Sequence, residues 1–289
     1  MPKFSFRSLF SSSEKESTSA KPVDVGEFYN QTTDKFLAVY GEIIQAFRTN
    51  DVTKYLDYTA QSARLADGMT VIDAGCGVCG PALHFADKYP TIKIEACTVS
   101  SVQVEKANER IAAAGKQNQI AVTEGDYHKL NKTYPNSHFD RVYFLESFGH
   151  SNDKRTLLNG VWDVLKPGGM VYIKDLFRRI SSDEWEQLHI DHICGQINKA
   201  YCYHIADLNA ILDILRSKGY ILHFVKIPEV EVSEFEHLSI SNDFQNLFDI
   251  GKIESWNDYV FPIDFFEILA EKPRFNTEAE KHLYFMNRK

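Results

Sequence analysis

An acid set among three glycines is the stretch best suited to chemistry: Val71-Ile72-Asp73-Ala74-Gly75-Cys76-Gly77-Val78-Cys79-Gly80. The β-branched run predicts a strand. The glycines predict a tight turn that a ligand can approach more closely than any Cβ would allow. Asp73 would repel a polyanion, so the turn suits a cationic or hydroxylated ligand better than a phosphate. Cys76 and Cys79 form a C-x-x-C, but no second pair stands at zinc-ribbon spacing. They read as reduced thiols within the turn, and no metal ligands are assigned. Glycine spacing alone is a weak signal, so its meaning depends on the elements around it.

Those elements alternate. The Val71–Asp73 strand is followed by a helix over 81–88, a strand over 92–97 and a helix to about Ala114, capped by Ser100 or Ser101 and ended by Gly115. Strands over 120–123 and 139–145, a helix over 156–165 and a Lys166-Pro167-Gly168-Gly169 turn into a strand over 170–174 continue the series. This pitch predicts a doubly wound, mostly parallel α/β sheet, with ligand bound at the carboxyl ends of its strands. Helices over 183–200 and 206–218 come next, and strands over 221–227 and 265–270 bring the total to seven. Ahead of the sheet, helices over 26–47 and from Thr53 to Leu65 form an N-terminal helical lid spanning 23–66. The main domain is expected over 67–273, with a helical cap insertion over 232–260 and tails over 1–22 and 274–289.

Composition narrows the function. A net charge of −8 disfavours a nucleic-acid surface. No apolar run approaches the roughly 20 residues of a membrane helix. Five cysteines with no secretory signal ahead of them suit a cytoplasmic protein with reduced thiols. Aromatic residues make up 13% of the chain, enough for a filled core or an aromatic-lined pocket.

Taken together, Asp73-x-Gly75-x-Gly77-x-x-Gly80, Gly125-Asp126, Phe139-Asp140 and Leu165-Lys166-Pro167-Gly168-Gly169 resemble the class I S-adenosylmethionine-dependent methyltransferases. The resemblance covers about Gly26 to Lys272. It implies a Rossmann-like methyltransferase fold in which Asp73, Gly75, Cys76 and Gly77 hold the methionine end of the cofactor. Asp126 would meet the adenine amino group and Tyr127 would stack on the ring, the alternative for Asp126 being an ordinary turn-forming role. Many members carry an acid at the end of the second strand, whereas here the chain runs Glu95-Ala96-Cys97-Thr98-Val99-Ser100-Ser101-Val102-Gln103. That stretch is similar to the carbon-methylating branch of cyclopropane fatty acid synthases, sterol C-methyltransferases and geranyl diphosphate C-methyltransferases. It implies ribose contacts from Thr98, Ser100 and Gln103, with Glu95 as the residue that could overturn this.

Three further stretches resemble that branch. The aromatic segment Phe28-Tyr29 to Phe36, with Tyr40-Gly41, is similar to sterol enzymes. Glu146 in Leu145-Glu146-Ser147-Phe148-Gly149-His150 is similar to both sterol and prenyl diphosphate enzymes. Gln196-Ile197-Asn198 with Tyr201 to Leu208 is similar to the geranyl diphosphate enzyme, while a cyclopropane synthase's bicarbonate set is not recognisable. The implied activity is methyl transfer to an alkene carbon of a prenyl diphosphate through a carbocation, followed by deprotonation. Catalysis would fall to Glu146, Tyr29 and His150, with Glu146 also beside the cofactor. Phe36, Tyr40, Phe148, Arg178, Asn198, Tyr201 and Tyr203 would bind substrate. A diphosphate needs cations: Arg178, Arg179, Lys54, Arg64, or Mg²⁺ bridging to a carboxylate. For Glu146 the plain alternative is a helix cap. The competing functions are N-, O- or C-methylation of another small molecule, with His150, His189, His192 or His204 as general base, and a non-catalytic cofactor-binding protein. The oligomeric state is left open, a homo-oligomer included.

Overall fold

The computed structural model describes residues 24–43, 49, 51–229 and 262–274. The expected tails, the helix end at Phe47 and the 232–260 cap lie outside the described residues. Two helices, α1 (Val25–Tyr40) and α2 (Val52–Ser62), precede the sheet. Then come β1 (Thr70–Ala74), α3 (Gly80–Lys88), β2 (Lys93–Thr98), α4 (Ser101–Ala113), β3 (Ile120–Glu124), the one-turn α5 (Leu130–Thr133), β4 (Phe139–Leu145), α6 (Lys154–Val164) and β5 (Leu165–Arg178). Helices α7 (Glu184–Tyr201) and α8 (Leu208–Lys218) lead to β6 (Ile221–Lys226) and β7 (Ile263–Glu271).

The seven strands lie in the order β3-β2-β1-β4-β5-β7-β6. The first five pair in parallel, and β7 runs antiparallel to both β5 and β6. Chain direction across the sheet reverses between β1 and β4, the switch point at which parallel sheets open a ligand crevice. The segments leaving those two strands carry Gly75–Cys79 and Glu146–His150, so the topology alone brings both motifs together.

The sheet has an apolar core on each face. Leu56, Phe85, Ile94, Tyr143 and Tyr172 fill one, and Ile72, Phe144, Leu158, Ile173 and Leu215 fill the other. Fully burying each large apolar side chain contributes about 1.5–3 kcal/mol, which makes the sheet a rigid base for its edge loops. Local chemistry sets the helix ends: Asp24, Asp51, Ser100, Asp153, Asp183 and Asp207 each accept a first-turn N–H, worth about 1 kcal/mol apiece.

Several elements depart from expectation, among them β5, which begins at Leu165, so that the expected turn over 166–169 lies within it. Helix α1 stops at Tyr40, because Gly41 adopts φ 70° and closes its C-terminus. Strand β5 continues past Lys174 to Arg178, because Lys174 and Asp175 pair with Glu267 and Phe266 of β7. Short 3₁₀ turns at Tyr127–Lys129 and Phe148–His150 shape the edge loops. Among the described residues no helix is long and apolar enough to cross a membrane.

Candidate active site

The end of β1 forms one wall. Asp73 is 2% exposed, and its Oδ2 makes no hydrogen bond. Burial pushes its carboxyl up to about 7. The neighbouring Tyr143 hydroxyl offsets this only in part, since that oxygen and Asp73 Oδ2 do not complete a bond with each other. Beyond Asp73 the chain turns through Gly75 at φ 85° and Gly77 at φ 54°, the left-handed region that favours glycine. A Cβ on Gly75 would collide with Ser147, whereas one on Gly77 would meet no described atom within 4 Å. Gly75 therefore lets the two edge loops touch, and Gly77 faces open space. The N–H groups of Gly75 and Cys76 both donate to Cys97 O, at 2.9 and 3.0 Å, which ties the turn to β2.

The end of β2 extends this wall. Thr98 Oγ1 donates to Gln103 Oε1 at 2.6 Å. Ser100 Oγ accepts from Gln103 N at 3.2 Å and donates to Asn30 Oδ1 of α1 at 2.7 Å. Thr98, Ser100 and Gln103 thus form one buried knot beside α1. Glu95 stands mid-strand, opposite Ile72 and Ala121, away from the carboxyl edge. After β3, Asp126 Oδ1 accepts from His128 N at 2.9 Å and faces His128 Nδ1 at 2.7 Å. Burial raises the Asp126 carboxyl, but those bonds outweigh it and leave it below its ordinary value. Asp126 is therefore a turn-former whatever else it binds. Tyr127 lies along the same edge and donates its hydroxyl to Ser147 O at 3.0 Å.

The opposite wall starts at Glu146, a non-glycine residue at φ 59°. Such strain costs about 1–3 kcal/mol and persists only where the surroundings fix it. Glu146 N donates to Lys174 O at 2.8 Å, and Glu146 Oε1 lies 3.7 Å from Lys174 Nζ. Glu146 is not the cap of the next helix, a place taken by Asp153.

Next to it, the Tyr29 hydroxyl and His150 Nε2 are 2.8 Å apart. His150 Nδ1 sits 3.2 Å from the Cys202 carbonyl, which can only accept. That assigns the proton to Nδ1 and leaves Nε2 to accept from Tyr29. Burial pulls the imidazole down to about 4, so it is neutral near pH 7, and burial followed by Asp175 pushes the Tyr29 hydroxyl up. The Tyr203 ring lies 4.1 Å from the His150 ring, and its hydroxyl donates to Glu146 O at 2.9 Å.

Lys174 and Asp175 were not legible as site residues. Asp175 is fully buried and accepts from Gly149 N at 3.0 Å and Leu176 N at 2.7 Å, holding the turn that carries His150. Burial pushes its carboxyl up to about 7. Their one sequence signal is a pair of charges where an apolar strand was expected to end.

The expected substrate residues divide. Phe36 packs 5.7 Å from Tyr29 and 6.2 Å from Tyr40, so the α1 aromatics form one row. Burial, then Tyr40, raise the Tyr201 hydroxyl, which places Tyr201 near that row. Asn198 Oδ1 accepts from Ile205 N at 2.9 Å and so shapes the turn that presents Tyr203. Phe148 instead belongs to the second core, 5.5 Å from Phe144. Arg178 pairs with Asp191 at 2.7 Å and Asp207 at 3.4 Å, and Arg179 with Asp264 at 2.8 Å. Arg64 reaches Met170 and His223 at the sheet's other end. An open cleft of about 420 Å³ at that amino end, lined by Asp140, Arg141 and Lys166, lies away from both walls. Among the described residues no cluster of His, Cys, Asp or Glu could hold a metal ion.

The sheet order and the crevice at its switch point define a Rossmann-like methyltransferase fold, and known proteins agree. Residues 71–169 match the family model described as a methyltransferase domain. Over those residues the chain is similar to a methyltransferase domain, in line with the class I S-adenosylmethionine-dependent resemblance of its motifs. The sterol 24-C-methyltransferase ERG6A of Gibberella zeae is 27% identical over 172 residues, 57% of this chain and 44% of that protein. The chain thus spans under half the length of that curated relative. Among solved structures, the [4+2]-cyclase SpnF superposes with a TM-score of 0.68 at 20% identity, covering 86% of this chain and 95% of that one. Geranyl diphosphate C-methyltransferase from Streptomyces coelicolor A3(2), in complex with Mg²⁺, geranyl diphosphate and S-adenosyl-L-homocysteine, superposes at 0.58 and 16% identity, covering 76% and 77%. The presence of a cyclase among these neighbours means that the fold alone does not fix the chemistry.

Proposed function

We propose that the protein is an S-adenosylmethionine-dependent C-methyltransferase that acts on an isoprenoid alkene, with a prenyl diphosphate as the first acceptor class. The carrying observation is the Glu146–Tyr203–His150–Tyr29 cluster. It sets a buried carboxylate and aromatic faces opposite a wall suited to the cofactor. The unpartnered Asp73 Oδ2 and the open face of Gly77 fit an ammonium-bearing methionine end. Thr98 and Gln103 would meet the ribose, and Asp126 and Tyr127 the adenine. The bound cofactor supplies an electrophilic methyl group.

The chain's own residues do the rest. Phe36, Tyr40 and Tyr201 exclude water and align the alkene in an apolar trough. Alkene attack leaves positive charge on the substrate, and the Glu146 carboxylate and the aromatic faces stabilise it. Glu146 then accepts the proton whose loss restores the double bond. Neutral His150 fixes the direction of the Tyr29 hydroxyl, and the Tyr203–Glu146 bond holds the strained turn.

A sterol-like acceptor is the second reading, favoured by the sterol relative and by Arg178 and Arg179, whose charges are already met by aspartates. A diphosphate would have to compete for those arginines or bring Mg²⁺ with it. Methyl-labelled cofactor incubated with geranyl and farnesyl diphosphates, sterols, amines and phenols decides between them. Label in a prenyl diphosphate, lost on adding a chelator, supports the first reading together with its metal. Label in a sterol selects the second, and label only in amines or phenols overturns both.

A further inference from the structure

A lysine buried at the centre of a sheet needs a reason. Lys174 is 1% exposed on β5, between Leu145 of β4 and Glu267 of β7. Its Nζ lies 4.1 Å above the Tyr55 ring and 3.7 Å from Glu146 Oε1, and its carbonyl accepts the Glu146 N–H. Glu267, opposite it and itself fully buried, accepts from the Tyr58 hydroxyl at 3.0 Å and lies 3.9 Å from Lys226 Nζ. Taking such charges out of water costs several kcal/mol each, and their attraction often does no more than repay that cost. This arrangement is therefore poor glue, and its geometry has another use. The same residue grips Glu146 by backbone and side chain, at the one position of that loop strained to φ 59°.

We infer that Lys174 is a positioning residue that holds the Glu146 carboxylate in place and aims it at the acceptor. The inference rests on the carboxylate role given to Glu146 above. Asp175 of β5, Tyr29 of α1 and Tyr203 after α7 also face Glu146, and burial raises all three. Lys174 brings the opposite charge and the backbone contact to the same residue.

The test is the ¹³C-carboxyl NMR signal of Glu146 in glutamate-labelled full-length protein, with Glu146→Gln identifying the resonance. Turnover is followed in parallel with the acceptor found in the labelled panel. In Lys174→Met the Glu146 resonance should shift or broaden, and turnover should fall about a hundredfold with cofactor affinity retained. Lys174→Arg should recover most of both. In the Glu146→Gln background Lys174→Met should cost nothing further, since a residue that acts through Glu146 has nothing left to act on. Glu146→Asp, which keeps Lys174 but withdraws the carboxylate, covers the case of a Met variant that fails to fold, and its turnover should fall about tenfold.

An unmoved Glu146 resonance in Lys174→Met, additive losses in the double variant, or full activity in Glu146→Asp overturns the inference. If Glu146→Gln is itself fully active, the carboxylate role falls with it. If Glu146→Gln is inactive while Lys174→Met keeps its Glu146 resonance and turns over normally, the inference alone falls.

Discussion

The two walls of the crevice are built differently. The wall proposed for the cofactor rests mainly on short-range contacts within single loops: Thr98 with Gln103, Ser100 with Gln103 and Asp126 with His128. Longer ties run beside them, from Gly75 and Cys76 to Cys97 and from Ser100 to Asn30. The acceptor wall joins partners far apart in the chain. Tyr29 and His150 are 121 residues apart, and Tyr203 and Glu146 are 57 apart. A wall made of local turns can form as soon as its strands do. A wall made of distant side chains exists only once α1, the β4 loop, β5 and the end of α7 have all docked. The first can be kept while the second is retuned, which is how one fold hosts many acceptors.

The contrast predicts separable damage. The largest effect belongs to Glu146→Gln: turnover about a thousandfold lower, with cofactor affinity unchanged by calorimetry. Loss of cofactor binding in that variant would mean the walls are not independent. Gly75→Ala strikes the point where they touch. Strain of about 1–3 kcal/mol at this φ, together with the collision with Ser147, should weaken cofactor affinity about a hundredfold and lower the melting temperature.

Tyr29→Phe removes one hydrogen bond from the acceptor wall and should lower turnover about tenfold with cofactor affinity intact. The smallest effect is a pH dependence. The Asp73 carboxyl is raised to about 7 in the free protein, so it is neutral below that pH and ionised above it. A cationic ligand prefers the ionised form. Cofactor affinity should therefore rise about threefold between about pH 6.5 and about pH 7.5, and Asp73→Asn should flatten the dependence. An affinity that instead falls over this interval would remove Asp73 from the ammonium site.

The wall proposed for the cofactor could be drawn from the sequence because most of its parts are local. Glycines that must turn, an acid after an apolar run and a capping serine all announce themselves within ten residues. The sheet was legible because buried parallel strands recur at a regular pitch. The acceptor wall was legible only in parts. Glu146 and the α1 aromatics stood out, but nothing in the sequence shows that Tyr29 meets His150 or that Tyr203 braces Glu146. Lys174 and Asp175 read as a strand end because buried charges contradict the hydrophobic pattern, and only the cross-strand partners on β7 show why the strand continues. Phe148 looked like a pocket aromatic, since its type is the same whether it faces a substrate or Phe144.

Helix α1 touches both walls with adjacent residues: Asn30 receives the Ser100 hydroxyl, and Tyr29 meets His150. Gly26, one turn earlier, lies so close to the Val99 carbonyl that a Cβ there would stand 2.7 Å from it. The helix is thus seated on the cofactor side and merely reaches across to the acceptor side. The consequence is a sequence in time. Occupancy beneath the Ser100 knot should steady α1 before Tyr29 can take its bearing on His150, so the cofactor should bind first and its demethylated product leave last. Inhibition by S-adenosylhomocysteine that is competitive against the cofactor and noncompetitive against the acceptor is the expected kinetic signature.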